Sequence, residues 1–174
     1  REAGNADMVY EFASTSKITF PGAGVAVMAA SEANLKYLSG LLGAQTISYD
    51  KVNQLRHVRF LQDKAHVLEL MQRHAAILRP KFEAVLAALR GIAPLGIASW
   101  TEPKGGYFVS CDAMPGTAKR TLALCAGAGV TMTPAGATYP GGNDPADSNI
   151  RIAPSFPPVE ELEQAMQIFC LALR

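Results

Sequence analysis

Apolar positions in this chain alternate, run together or recur at helical spacing, and the changes of period mark out its elements. Met8-Val9-Tyr10 with Phe12 reads as a strand, and Val25-Ala26-Val27-Met28-Ala29-Ala30 as a second, fully buried one. Small, polar and turn-forming residues join them, with Lys17 between Ser14-Thr15-Ser16 and Pro21-Gly22. Ser31 suits the N-cap of a short helix through Leu35, Leu38, Leu41 and Leu42 that Gly43 ends. Asp50 caps a much longer helix, apolar at Val52, Leu55, Leu61, Leu68 and Met71, with Phe82, Val85, Leu86 and Leu89 continuing the face to Gly91. Pro80 predicts a kink or a restart in that helix, because proline removes a donor and crowds the previous turn.

After Gly91 the period shortens. Residues 97–100 and 107–110 read as hairpin strands around Pro103-Lys104-Gly105-Gly106. Residues 118–126 read as a helix, 130–133 and 150–152 as strands, and 158–173 as a closing amphipathic helix whose cap is Ser155-Phe156-Pro157-Pro158. The stretch 136–147, rich in Gly, Pro and Asp, reads as a loop bordering a site. Strands alternating with helices from about residue 49 onward predict a two-layer α/β sandwich. There is no internal repeat and no low-complexity tract.

Composition narrows the classes. The 174 residues, 49% of them hydrophobic, suffice to bury roughly 70% of the unfolded surface. Sixteen basic and fifteen acidic side chains give a net charge of +1, which provides no field for nucleic acid. No run of ~18 apolar residues is present to cross a membrane, and no signal-peptide pattern opens the chain. Arg1 stands directly ahead of a core strand, so the expectation is a piece of a longer protein. Cys111, Cys125 and Cys170 are odd in number, with no C-x-x-C pair, which argues against a disulfide scaffold or a zinc site and for a reducing cytoplasm. His57, His66 and His74, spaced 9 and 8 apart in a helical stretch, read as surface or internally satisfied helix residues, and no metal site is expected.

Two cations stand in chemically suggestive settings. Lys17 lies on a tight connection between two apolar strands, where shielding from water would favour its neutral, nucleophilic amine. The hydroxyls of Ser14 and Ser16 can donate to a phosphate, and the following glycines allow a close backbone approach. Read from these residues alone, Lys17 could equally snorkel from a strand end. Arg151 lies among Ile150, Ile152 and Ala153, and a guanidinium in that setting needs a carboxylate partner. That partner is either a ligand or a nearby acid such as Asp147. Trp100 and Tyr107 suit the core as well as a site lining, and Arg56 and Arg59 suit a solvated or paired helix face.

Four segments, in order, carry a family resemblance. Ser14-Thr15-Ser16-Lys17 with Pro21-Gly22 resembles the Ser-x-Ser-Lys-x-x-x-Pro-Gly element of fold-type I aminotransferases, which depend on pyridoxal 5′-phosphate (PLP). Pro103-Lys104-Gly105-Gly106-Tyr107-Phe108 is similar to their Pro-x-Gly-Gly-x-Phe hairpin, and Gly129-Val130 through Pro134-Ala135-Gly136 to their Gly-Val-x-x-x-Pro-Gly strand and turn, with an alanine inserted after the proline. Asn149-Ile150-Arg151 through Ser155 resembles the Asn-x-Arg-x-x-x-Ser strand. The resemblance implies an α/β, fold-type I PLP-dependent transferase. Residues 1–48 would be the end of the cofactor-binding domain, with the lysine turn and a linker helix. Residues 49–174 would be the small C-terminal α/β sandwich domain, beginning with a long helix. It implies Lys17 as the Schiff-base lysine, Ser14 and Ser16 at the cofactor phosphate, and Arg151 on the substrate α-carboxylate. Amino acid and 2-oxo acid substrates, a cytoplasmic homodimer and an inactive isolated fragment are implied with them, and no contact with nucleic acid or membrane by this segment. Segments 12–24, 52–60, 74–82 and 149–156 look like the MocR-like subgroup, which includes aspartate aminotransferases and suggests an acidic amino donor. The alternative is the non-catalytic PLP-binding effector domain of a MocR-type regulator. One position departs from the pattern: where the wider family places a second phosphate-clamping arginine, this chain has Gly24 and Val25.

Overall fold

A computed structural model describes residues 4–174, and the chain divides into two compact units, Arg1–His74 and Ala75–Arg174.

In the first unit, strands β1 (Tyr10–Ser14) and β2 (Ala26–Ala30) form an antiparallel ribbon, with Tyr10 opposite Ala30 and Ser14 opposite Ala26. β2 is not the fully buried strand its sequence predicts: Val27 is 63% exposed and Phe12, on the neighbouring strand opposite Met28, is 74% exposed. A two-stranded ribbon has two faces, and β1 is exposed along its whole length while β2 is partly covered only at Met28 and Ala30. Helix α1 (Glu32–Gln45) starts as expected, with Ser31 Oγ accepting the Asn34 N–H. It runs past Gly43 to Thr46, since glycine in αR conformation lowers helix stability without stopping it.

Asp50 caps helix α2 (Lys51–Leu61) by accepting the Asn53 N–H. The long helix expected from there is two helices. Gln62 takes a φ of 55°, the chain turns, and α3 (Lys64–Ile92) begins with the Asp63 carboxylate accepting both the His66 backbone N–H at 3.0 Å and its ring Nδ1 at 2.9 Å. These two bonds hold the Asp63 carboxyl below its ordinary range. The restart expected at Pro80 is absent: α3 runs unbroken through it into the second unit. The missing donor there costs one bond of a 29-residue ladder, and the buried stripe of Val85, Leu89 and Ile92 secures the segment beyond.

The second unit is an α/β sandwich, where the sequence predicts one from about residue 49 onward. Strands β3 (Ala98–Trp100), β4 (Val109–Ala113) and β5 (Asn149–Ile152) form an antiparallel sheet in that order, and the β3–β4 hairpin pairs Trp100 with Cys111. Helix α4 (Ala118–Gly127) and helix α5 (Val159–Leu173) complete the core with α3. Side chains alternate across a strand, so Val109, Cys111 and Ala113 of β4 and Ile150 and Ile152 of β5 enter that core. Phe169 and Met166 of α5 meet them from the helical layer. All three cysteines are buried and unbonded here, and burial pushes the Cys111 thiol up to about 12.

Residues 130–133 pair with no strand among the described residues, contrary to expectation. Pro158, within the segment expected to cap α5, occupies the N-cap without a side-chain bond, and the Ser155 carbonyl accepts from Lys81 Nζ at 2.8 Å. The loop that includes 136–147 closes on itself at Gly136, whose φ is +83° and where a Cβ would come within 2.8 Å of the Gly142 carbonyl carbon.

Candidate active site

The lysine turn is built outward from Thr15. Its backbone N–H donates to Val25 O, its Oγ1 accepts from Val25 N at 2.9 Å, and its carbonyl accepts from the N–H groups of Ile18 and Thr19. The carbonyl also receives the Thr19 hydroxyl at 3.0 Å. Residues 15–19 thereby close into one turn with Lys17 at its crest. Lys17 is exposed in this chain, not shielded as its flanking strands predict, because the β1–β2 ribbon is open on both faces.

Ser14 and Ser16 are brought together beside it. Their hydroxyls lie 2.6 Å apart, and Ser14 Oγ also accepts the Ser16 N–H. One proton joins the two oxygens, so whichever serine donates, the other keeps an O–H for an external acceptor. Gly24 packs directly behind this pair. A Cβ at that position would overlap Ser16 Oγ and come within 3.0 Å of Ser16 Cα. A side chain at position 24 would therefore require Ser16 to shift, while Val25, the other position where the wider family places its arginine, is left without such a constraint. Two hydroxyls, a crest lysine and a backbone cradle kept clear by glycine fit a phosphorylated aldehyde cofactor.

Helix α2 grips this turn through residues the sequence did not single out for it. His57, 5% exposed, places Nε2 2.9 Å from Thr19 Oγ1 and 3.2 Å from Thr15 Oγ1, while Nδ1 donates to the Asn53 carbonyl at 2.9 Å. Asn53 Nδ2 donates to Ala23 O at 2.9 Å. Phe20 packs edge-on to His57 and against Phe60, and the Arg56 guanidinium lies 4.4 Å above the Phe20 ring. Arg56 also donates to Asn53 Oδ1, so it is a paired residue of this cluster. Nothing local in the sequence announces contacts that span 30 to 42 positions.

Arg151 belongs to the second unit. It projects from β5 on the sheet face opposite the core, together with Asn149 and, from β4, Ser110 and Asp112. Its guanidinium stacks 4.6 Å over the Phe108 ring, and Nη2 lies 3.5 Å from Thr133 Oγ1. Arg151 Nε is buried with no hydrogen-bond partner. Among the described residues no carboxylate pairs with Arg151; Asp147, the acid named as a possible partner, accepts the Lys119 N–H instead. Asn149 is fully committed, donating to Ser110 Oγ and Asp112 Oδ1 and accepting from Thr138 Oγ1. Behind it, the buried Asp144 carboxylate accepts the N–H groups of Asn149, Ser148 and Ala146, which hold its carboxyl below the usual range. The base of the Arg151 strand is thus anchored on both sides, and the guanidinium is left with donors to spare. Trp100 packs against the core. The described residues hold no group of three or more His, Cys, Asp or Glu able to bind a metal, and no helix long and apolar enough to cross a membrane.

Comparisons with known proteins bear on these features. A 165-residue match to an aspartate aminotransferase of Corynebacterium glutamicum is 49% identical and covers 94% of this chain. A solved aspartate transaminase from the same organism superposes with a TM-score of 0.89 at 48% identity, again over 94% of this chain and 39% of the other. Fold alone is shared with the α-aminoadipate aminotransferase LysN of Thermus thermophilus, at a TM-score of 0.77 and 23% identity, over 99% of this chain and 43% of that one. The chain spans 38% and 39% of the length of the curated relatives it matches. Its α/β architecture is that of the C-terminal part of fold-type I aminotransferases. The aspartate amino-transferase family model matches residues 1–174, end to end, and the chain belongs to that family.

Proposed function

We propose that the protein to which this chain belongs is a PLP-dependent aminotransferase, moving an amino group from aspartate or another acidic amino acid to a 2-oxo acid. The observation that carries the reading is Arg151, a guanidinium held 4.6 Å over the Phe108 ring with a buried, unpartnered Nε. Arginine's planar fork suits a carboxylate, and the spare donors of Arg151 suit the α-carboxylate common to amino acids and 2-oxo acids. Ser14 and Ser16 donate to the cofactor phosphate, and Lys17 carries the cofactor. When bound, the cofactor supplies the electron sink that makes a substrate Cα–H acidic. The Lys17 amine would take the Cα proton onto Nζ and, as the ammonium, would give it up again to complete the transfer. One side chain thus serves as both tether and general base.

The acidic donor and the MocR-like subgroup rest on the resemblance of segments 12–24, 52–60, 74–82 and 149–156, and the acidic donor alone is supported by the 49% identity to an aspartate aminotransferase. A cytoplasmic homodimer, and a domain boundary near residues 48 and 49, belong to the same proposal and rest on the resemblance alone.

The test is borohydride reduction of the full-length holoprotein followed by peptide mapping, with Lys17→Ala alongside. The label is expected on Lys17, and the variant should lose the visible band of the bound cofactor together with about 10²–10⁴-fold in turnover. Label on a different lysine refutes the assignment. A labelled protein that turns over no amino acid donor is instead a regulator's effector domain.

A further inference from the structure

We propose that His57 is a positioning residue for Lys17, clamping both flanks of the lysine turn to helix α2 and so aiming the amine. The inference rests on the reading of Lys17 given above and extends it to a residue with no direct part in the chemistry.

Proton accounting gives the clamp its direction. The Asn53 carbonyl can only accept, so His57 Nδ1 carries the hydrogen of that 2.9 Å bond. In the neutral ring Nε2 is then an acceptor facing two hydroxyls, one from each side of Lys17. The Thr15 hydroxyl already accepts from Val25 N, and its own proton points to Nε2. Thr19, four residues on, shares its proton between Nε2 at 2.9 Å and the Thr15 carbonyl at 3.0 Å. A single nitrogen therefore gathers positions 15 and 19, and the residue midway between them is the lysine. The ring is 5% exposed, with the edge contact to Phe20 at 5.3 Å closing one side, so water does not compete well for these bonds. Asn53 ties the return of the turn to the same helix through Ala23 O, which stops the far limb from swinging when the near one is held. Ser14 and Ser16 precede and adjoin the clamped threonine, so the phosphate-facing hydroxyls inherit the same registration.

A buried histidine could simply stabilise the fold, and the experiment separates the two roles. Full-length protein is stripped of cofactor, PLP is added back, and the rate of return of the visible band is followed for wild type, His57→Ala, His57→Gln and Thr19→Val. Thermal midpoints of the apoproteins are recorded in parallel. Displacing a reacting group by about 1 Å can cost about 10²-fold. His57→Ala is therefore expected to slow attachment roughly 10–100-fold and to lower kcat with KM little changed. His57→Gln, whose amide oxygen can accept near the Nε2 position, should recover most of the rate. Thr19→Val, which loses one hydroxyl at nearly constant volume, should fall between and decides the matter if His57→Ala does not fold. Attachment at the wild-type rate in a folded His57→Ala or, failing that, in Thr19→Val overturns the proposal. So does equal loss in His57→Ala and His57→Gln that tracks only their thermal midpoints. Borohydride mapping on the same samples distinguishes the failures: label on Lys17 with unchanged rates sinks the clamp alone, and label elsewhere sinks the reading beneath it.

Discussion

Arg151 shows how much of a side chain's role is fixed by what it lacks. Its flat face is taken by Phe108 and one nitrogen approaches Thr133, yet Nε is buried without a partner. Leaving a buried donor unmatched costs free energy that a bound carboxylate would recover. In the full-length protein, on the proposed function, Arg151→Ala is expected to cost about 1.5–3 kcal/mol of donor binding, a roughly 10- to 150-fold rise in KM for every amino acid donor tried. Arg151→Lys should recover only part, because an ammonium cannot form the fork. Steady-state kinetics with a panel of donors checks this, and unchanged constants would return Arg151 to a structural role. The sequence named Arg151, Lys17, Ser14 and Ser16 because each sits inside a short motif. It could not name His57 as a partner of Thr15 and Thr19, since only the folded chain brings position 57 beside that turn. Gly24 is a different case: it stood out with Val25 as the place of a missing arginine, and its close approach to Ser16 became visible only in the folded turn.

At the level of elements, boundaries follow caps and tertiary burial more than punctuation. Ser31 and Asp50 were readable as N-caps because the cap bond is local, made three residues on. Gly43 misled, and Pro80 brings no restart, because each ends a helix only where nothing else sustains it, and α1 and α3 continue through them. The break came instead at Gln62 and Asp63, where a cap to His66 outcompetes a continuous ladder. Residues 130–133 have strand composition and no strand partner among the described residues, a distinction that composition cannot make. The 144–149 segment offers a measurable consequence. Its Asp144 carboxyl lies below the ordinary aspartate value of about 3.9, so the stabilisation it provides is present above that pH and is lost as pH falls through the lower folded value. Asp144→Asn should flatten that acid limb and lower stability at pH 7, since a neutral amide replaces a carboxylate that accepts three N–H bonds. Urea unfolding of both proteins between pH 7 and pH 2 tests the sign; a variant curve parallel to wild type would remove Asp144 from the account.

Across the whole molecule, the α/β sandwich of residues 75–174 was the most legible feature, because its hairpin, two amphipathic helices and closing strand each announce themselves by period. The first unit was harder to read. Its apolar strands look like core by composition, and burial is a property of what lies opposite, which no local pattern encodes. One distribution of residues separates the two units experimentally. Cys111, Cys125 and Cys170 all fall within the second unit and all are buried, while residues 1–74 contain no cysteine. A thiol at about 12 is almost wholly protonated at neutral pH, so a maleimide or disulfide reagent should find Cys111 inert until the sandwich opens. Timed alkylation followed by mass spectrometry would then act as a clock for that opening, blind to events around the lysine turn. Three adducts arriving together would mark a single cooperative unit, and an early adduct on one sulfur would locate its weakest seam.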